Sequence, residues 1–385
     1  MRRGFESHRT HPLMFSIFKR KPYHHLNKIL VNQQALIDNH GALKKLHPES
    51  KIAPVLKSNA YGHGLTTVAP VFDKLKPPFL IVDSLYEAYE LYKKNIKTPI
   101  LIIGYTDPRN YAIKPLPFHY SVFDLETARS LNKYQLGCSV HIFVDTGMSR
   151  EGVLIKNLSK FIKEVLKLEN LKIEGLASHL ADADNTTDSS FTKKQLKNYH
   201  QALQIFNDHD IDPKWKHISA SAGAFKVKNK AFNLIRAGLA SYGVSPFDKN
   251  VEQLYPSLTL QSTLIQIKQL QKGDLVSYNL TYRAPNSMTV GILPAGYYEG
   301  VDRRLSNKGV VKIKDQYCPI VGRVCMNLTI VDLSKVKNPK VGDKIEIYST
   351  DTTAKNSIFN QAKTAQTIPY KLLTGLTDSI RRELI

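Results

Sequence analysis

From Ile52 to about Ala240 the chain alternates short apolar runs with longer amphipathic stretches. The runs are Ile52–Leu56, Phe79–Val82, Ile100–Ile103, Tyr120–Val122, Val140–Val144, Ile173–Ser178, Lys216–Ser219 and Leu234–Ala237. Runs this short and this apolar suit the strands of a parallel sheet, which is covered on both faces. Helix candidates lie between them at Leu85–Lys94, Leu125–Tyr134, Leu158–Leu168 and Thr192–Phe206, with another ahead of the first strand at Gln34–Leu46. In Thr192–Phe206, Leu196, Tyr199, Leu203 and Phe206 share one helical face. Eight strands with intervening helices predict a (β/α)8 barrel rather than an open sheet. Thr106–Pro117 interrupts the scheme as a proline-rich loop where a helix would otherwise fall.

After Tyr255 the period shortens to that of half-buried strands. Alternation appears in Ser257–Ile267, Ser287–Leu293, Gly309–Ile313, Pro319–Val321, Leu328–Val331 and Asp343–Ile347. Turn signals separate these segments: Lys272-Gly273-Asp274, Asn307-Lys308-Gly309 and Val341-Gly342-Asp343. A mostly antiparallel β domain follows from this pattern, closed by a last helix candidate at Lys371–Glu383. The organisation is therefore α/β: a basic extension over 1–27, a barrel over 28–254 and a C-terminal β domain over 255–385.

Composition changes this picture little. Hydrophobic residues make up 42% and charged residues 23%, so the chain can bury a core and is not a solvated, disordered one. No apolar run approaches the roughly 18 residues a membrane span needs. Cys138, Cys318 and Cys325 form no C-x-x-C pair, which argues against a disulfide framework or a zinc site and for a cytoplasmic protein without a metal. The net charge of +21 invites a nucleic-acid reading, but no recognition motif accompanies it. Met1–Lys28 alone carries seven Lys and Arg against Glu6. The remainder is scattered over helix-like stretches, as on a solvated basic surface. Gly4-Phe5-Glu6-Ser7 matches DNA of the kind found in the T-arm of transfer RNA genes, and translation is expected to begin at Met14.

The chemistry concentrates at strand ends. Lys57 ends the first apolar run and opens Lys57-Ser58-Asn59-Ala60-Tyr61-Gly62-His63-Gly64. In a barrel, the C-terminal ends of strands face the active site. A lysine there can hold a carbonyl cofactor as an imine, though a lone strand-end lysine is more often only a surface residue. Phosphate sites commonly follow the seventh and eighth strands. Here those places carry Ser219-Ala220-Ser221-Ala222-Gly223 and Arg236-Ala237-Gly238-Leu239, whose small residues let backbone N–H groups meet an anion. Each segment alone is also compatible with a plain loop.

These segments, in order, resemble the alanine racemases. The match runs through Val55–Gly64, Val144-Asp145-Thr146-Gly147-Met148-Ser149-Arg150-Glu151-Gly152 and Arg236-Ala237-Gly238-Leu239-Ala240-Ser241-Tyr242-Gly243. It continues through Ser277-Tyr278, Pro294-Ala295-Gly296-Tyr297, Val321-Gly322-Arg323-Val324-Cys325-Met326 and Ile368-Pro369-Tyr370. The resemblance covers roughly Lys28 to Arg382. It implies a pyridoxal 5'-phosphate (PLP) enzyme interconverting L- and D-alanine for peptidoglycan, as a head-to-tail homodimer. Lys57 then resembles the cofactor lysine and one base, and Tyr278 the opposite base, reaching into a partner's site. Arg236 would face the pyridine nitrogen, supported by His179. Tyr61, Ser221, Gly238, Leu239 and Tyr370 resemble the phosphate ligands, and Arg150 and the Met326 N–H the substrate-carboxylate contacts. Tyr297, Arg303 and Asp184 match positions that shape the entrance. Related decarboxylases place a carboxylate at the pyridine nitrogen, so Arg236 points to racemisation. A racemase of another amino acid, or a PLP-binding protein of weak activity, remains the alternative.

The chain departs from the family at four positions. Phe143 stands where many members carry a carbamylated lysine that holds the carboxylate-binding arginine, so Arg150 must find another anion or be held less firmly. Asn327 replaces an Asp, Ala220 an Asn, and Asn279 a Gly. Asn tolerates left-handed backbone, which makes the last change mild.

Overall fold

The computed structural model describes residues 23–228, 230–247, 251 and 253–385. Residues 1–22, with most of the basic extension and the Met14 start, lie outside the described residues.

Eight parallel strands close a ring. They are Lys51–Pro54, Leu80–Val82, Ile100–Ile102, Phe118–Val122, Ser139–Asp145, Lys172–Ala177, Trp215–His217 and Leu234–Ala237. The second to seventh form one continuous sheet, and the eighth pairs with the first, Leu234 opposite Lys51. Single bridges complete the circle, Val55 with Ile81 and Ala220 with Arg236. Leu80–Val82 and Ile100–Ile102 are buried at every residue, as strands covered on both faces must be. Helices wrap the outside. Those at Leu85–Lys93 and Leu125–Tyr134 start where the sequence supplies a cap: Ser84 accepts from the Glu87 N–H, and Asp124 accepts from the Thr127 N–H at 2.7 Å. Thr106–Pro117 contains one 3-10 turn, Pro108–Ala112, anchored by buried Tyr111. The helix expected at Leu158–Leu168 runs Ile155–Val165 instead.

The second half is a stack of mostly antiparallel sheets. Its largest runs in the order Gln316–Pro319, Val310–Ile313, Lys344–Tyr348, Leu258–Thr263, Lys28–Val31 and Arg381–Leu384. Three expectations fail here. Lys28–Val31, assigned to the barrel from sequence, pairs antiparallel with Leu258–Thr263 and parallel with Arg381–Leu384. Lys371–Glu383 is not a helix: a short helix, Pro369–Thr374, stops at Gly375, and the chain ends as that strand. The waiting edge of Lys28–Val31 supplies backbone partners that a helix would have had to find in its own turns. Ser257–Ile267 likewise divides into Leu258–Thr263 and Gln266–Leu270, which belong to different sheets.

One hydrophobic cluster runs through both halves, from Leu36, Ala60 and Tyr242 to Leu293, Ile347 and Leu372. No helix among the described residues is long and apolar enough to cross a membrane.

Candidate active site

A cavity of about 280 Å³ opens at the C-terminal ends of the barrel strands. Lys57, Tyr61, Arg150, His179, Ser221, Arg236, Gly238, Leu239, Tyr370 and Asp184 all line it. Tyr278, Met326, Tyr297 and Arg303 do not. They sit in the second half, where Tyr278 and Met326 are 67% and 56% exposed.

Lys57 does not end a strand. The first barrel strand stops at Pro54, and Lys57 opens a short turn, Lys57–Tyr61. Ser58, Asn59, Ala60 and Tyr61 all have φ between 51° and 56°, a left-handed turn made without glycine. Left-handed backbone costs an L-residue about 1–2 kcal/mol, so the turn must be held from outside. Glu87 holds it, accepting from the Ser58 N–H at 2.6 Å and, through its other oxygen, from the Asp83 N–H. Asn59 accepts from the Leu65 N–H and donates to Asp378. At the end of the turn a Cβ on Gly62 would lie 2.1 Å from the Leu373 carbonyl oxygen, and Arg382 donates to the Gly62 carbonyl. Lys57 Nζ donates to Asp83 at 3.2 Å.

Tyr61 is packed under Gly238, where a Cβ would come within 2.5 Å of the tyrosine oxygen. Burial, with Asp83 second, pushes its hydroxyl up to about 12, so it remains a protonated donor at neutral pH. Ser221 Oγ accepts from the Ala240 N–H at 3.2 Å, tying the loop after the seventh strand to that after the eighth. Tyr370 enters from the second half, and burial raises its hydroxyl too.

Arg236 forms the floor and is 3% exposed. Its Nη1 donates to His217 Nδ1 at 2.8 Å and to the His217 carbonyl. Its Nη2 donates to the Ser178 carbonyl at 2.7 Å and to His179 Nδ1 at 2.9 Å. These bonds consume all four terminal N–H groups and leave the Nε–H. Burial brings the guanidinium down to about 10, still charged at neutral pH, and holds His217 well below the usual histidine range. Because His217 Nδ1 accepts from the arginine, its Nε2 carries the proton and donates to His141 Nδ1 at 2.8 Å. His179, expected as support for Arg236, is in place. His217 and His141 were not anticipated, although a histidine inside each of two apolar strands was a signal.

Arg150 stands on the loop after the fifth strand. Asp145 folds that loop by accepting from the Gly147 and Ser149 N–H groups, with Ser149 at φ 57°. Arg150 has found its anion: the adjacent Glu151 takes its Nε and Nη2. Phe143 is buried and forms an apolar wall of the same cavity. In the second half, Asn327 donates to Glu299 at 2.8 Å, which an Asp could not do. Asn279 has φ 59°, a left-handed geometry that Asn tolerates in place of glycine.

The arrangement offers a lysine amine, a neutral phenol, a spent buried arginine and a half-exposed arginine around one volume. The chain as a whole is similar to known proteins. The family model for the N-terminal domain of alanine racemase matches residues 31–246, and that for the C-terminal domain matches 257–384. An alanine racemase of Halothermothrix orenii is 35% identical over 86% of this chain and 89% of its own length. Among solved structures, the alanine racemase of Bacillus anthracis with bound L-Ala-P superposes with a TM-score of 0.87 at 30% identity, covering 95% of this chain and 96% of that one. That of Bartonella henselae, with covalently bound pyridoxal phosphate, gives 0.81 at 25% identity over 94% and 100%.

Proposed function

Since the chain belongs to the alanine racemase family, whose members interconvert L- and D-alanine with PLP, we propose that Lys57 binds PLP covalently and shares the proton work with Tyr278 of a second copy. The observation that carries this reading is the donor count at Arg236. With four N–H groups spent on the protein, the guanidinium has one donor, Nε–H, for a ring nitrogen, in the cavity that also holds Lys57.

The residues fit the cofactor. Tyr61, Ser221, Gly238, Leu239 and Tyr370 line the same cavity, and the missing Cβ at Gly238 leaves its backbone open beside the Tyr61 hydroxyl. These would hold the phosphate. Bound there, the cofactor's ring would draw electrons from the substrate and acidify its Cα–H. Arg236, charged at neutral pH despite its burial, would hold its hydrogen bond without giving up a proton. Arg150 would bind the substrate carboxylate. Lys57 Nζ would move the Cα proton on one face and the Tyr278 hydroxyl on the other, since inversion needs one acid/base group per face.

Tyr278 and Met326 do not line this chain's cavity, and both lie exposed beside Leu280 and Leu328. A homodimer that places this surface over a second copy's cavity, with Tyr297 and Arg303 at its entrance, accounts for both facts. The product would serve as D-alanine for peptidoglycan, in the cytoplasm.

Purified protein supplied with PLP should form D-alanine from L-alanine, in preference to other L-amino acids. Borohydride reduction followed by peptide mapping should find the cofactor on Lys57. Label on a different lysine would defeat the assignment. Specific activity should fall on dilution as the dimer separates, and a fully active monomer by light scattering would refute the shared site.

A further inference from the structure

Arg150 and Glu151 are neighbours in sequence, yet their side chains turn to meet each other at the cavity. Glu151 takes Nε with one oxygen and Nη2 with the other, the latter at 2.5 Å. The pairing is two-pronged, the geometry in which an arginine is most firmly oriented. The surroundings explain why orientation is needed. Lys57 and Arg236 line the same volume, and Phe143, which forms the wall, offers no acceptor. Positive charge dominates enough that Arg236, Arg150 and Lys57 together reinforce burial in depressing His179. Without Glu151 the guanidinium would keep only the more distant attraction of Asp83 and would gain rotamer entropy by leaving the cavity.

We propose that Glu151 is a positioning residue for substrate binding: it anchors Arg150 by its Nε edge and turns Nη1 toward the alanine carboxylate. The inference rests on the reading of Arg150 as the carboxylate-binding residue. Of the five guanidinium donors, Glu151 occupies two, and both Nη1 donors remain for the substrate. Two effects of Glu151 oppose each other. Its charge weakens the attraction of Arg150 for a second carboxylate, and its grip removes the cost of ordering a long side chain. With 52% of the Arg150 side chain exposed, water screens the first effect, so ordering decides.

The test compares the PLP-loaded wild-type enzyme with Glu151→Gln, Glu151→Asp and Arg150→Leu. In Glu151→Gln the KM for L-alanine should rise about tenfold while kcat stays within about threefold, the signature of lost binding rather than lost chemistry. Cofactor absorbance should be unchanged. Calorimetric titration with propionate, which has the carboxylate and no amine, should show a parallel loss of affinity. Titration with ethylamine, which has the amine and no carboxylate, should show none. Glu151→Asp should recover most of the propionate affinity. Unchanged or tighter propionate binding in Glu151→Gln would overturn the proposal. If Arg150→Leu binds propionate as wild type does, Arg150 is not the carboxylate site, and the functional reading falls together with the inference built on it.

Discussion

Arg236, on the eighth barrel strand, is 3% exposed, while Arg150, on the loop after the fifth, has 52% of its side chain in solvent. Both reach one cavity. Arg236 is bonded to backbone carbonyls and two neutral imidazoles, and its position is part of the packed interior. Arg150 is held by a single carboxylate on its own loop. A buried cation whose donors are spent cannot be disturbed without disturbing the fold. A half-exposed one can be re-aimed at little cost to stability. The difference teaches where each burden falls: the floor should be read in stability measurements, the rim in kinetics.

The largest expected effect is purely kinetic and belongs to Tyr278 in the second half. Tyr278→Phe should lower racemisation by about 10²–10⁴-fold, the usual worth of an acid/base group, with no loss of thermal stability. With Lys57 assigned to the face that deprotonates D-alanine and Tyr278 to the face that deprotonates L-alanine, solvent deuterium should still enter D-alanine and should do so faster than L-alanine. Equal loss from both enantiomers would point to a single base.

At the floor, Arg236→Leu should cost about 3 kcal/mol in urea unfolding, because two imidazole nitrogens and two carbonyls lose their donor. The released burial cost of the cation offsets part of the loss. An unchanged urea midpoint would erase the contrast between the two arginines.

Acid should act on the buried histidines, at the floor and beyond it. Burial, the leading cause in each case, holds His141 and His217 well below their usual range, brings His179 to about 3, and brings His63 and His40 to about 4. Unfolded, these rings take up protons near pH 6.5. Their contribution is therefore present above about pH 6.5 and is lost as pH falls toward about 4. Each histidine contributes at most about 1.4 kcal/mol per pH unit. Urea midpoints that stay level from pH 7 to pH 5 would mean the rings are protonated in the folded state. The smallest effect belongs to Arg150→Leu, which should change stability by no more than about 0.5 kcal/mol while raising KM. A larger loss would make Arg150 structural.

What the sequence shows follows the same division. The barrel strands stood out because residues such as Leu80–Val82 are apolar on both faces, and burial on both sides leaves an unbroken run. Lys28–Val31 did not, because half of its residues are only partly buried and its partners lie more than two hundred positions away. The four left-handed residues after Lys57 carry no local signature, since Glu87, Asp378 and Leu373 hold the turn from outside. The cavity residues were legible where short motifs carried them. His141 and His217 were not, because their significance depends on strands five and seven facing Arg236. Glu151 stood in a quoted motif, but its pairing with Arg150 is a matter of side-chain direction.

The turn that presents Lys57 is closed from far along the chain. Arg382, 320 positions later, donates to the Gly62 carbonyl, Leu373 packs on the same glycine, and Arg381–Leu384 completes the sheet begun by Lys28–Val31. Ribosomes extend chains at roughly 5–20 residues per second, so the opening strand waits on the order of tens of seconds for its partner. A nascent chain with all eight barrel strands already made would still lack the clasp on its lysine turn. A chain ending a dozen residues early would keep Lys57 but would lose both Arg382 and the strand Arg381–Leu384 that hold its turn from the far end of the sequence.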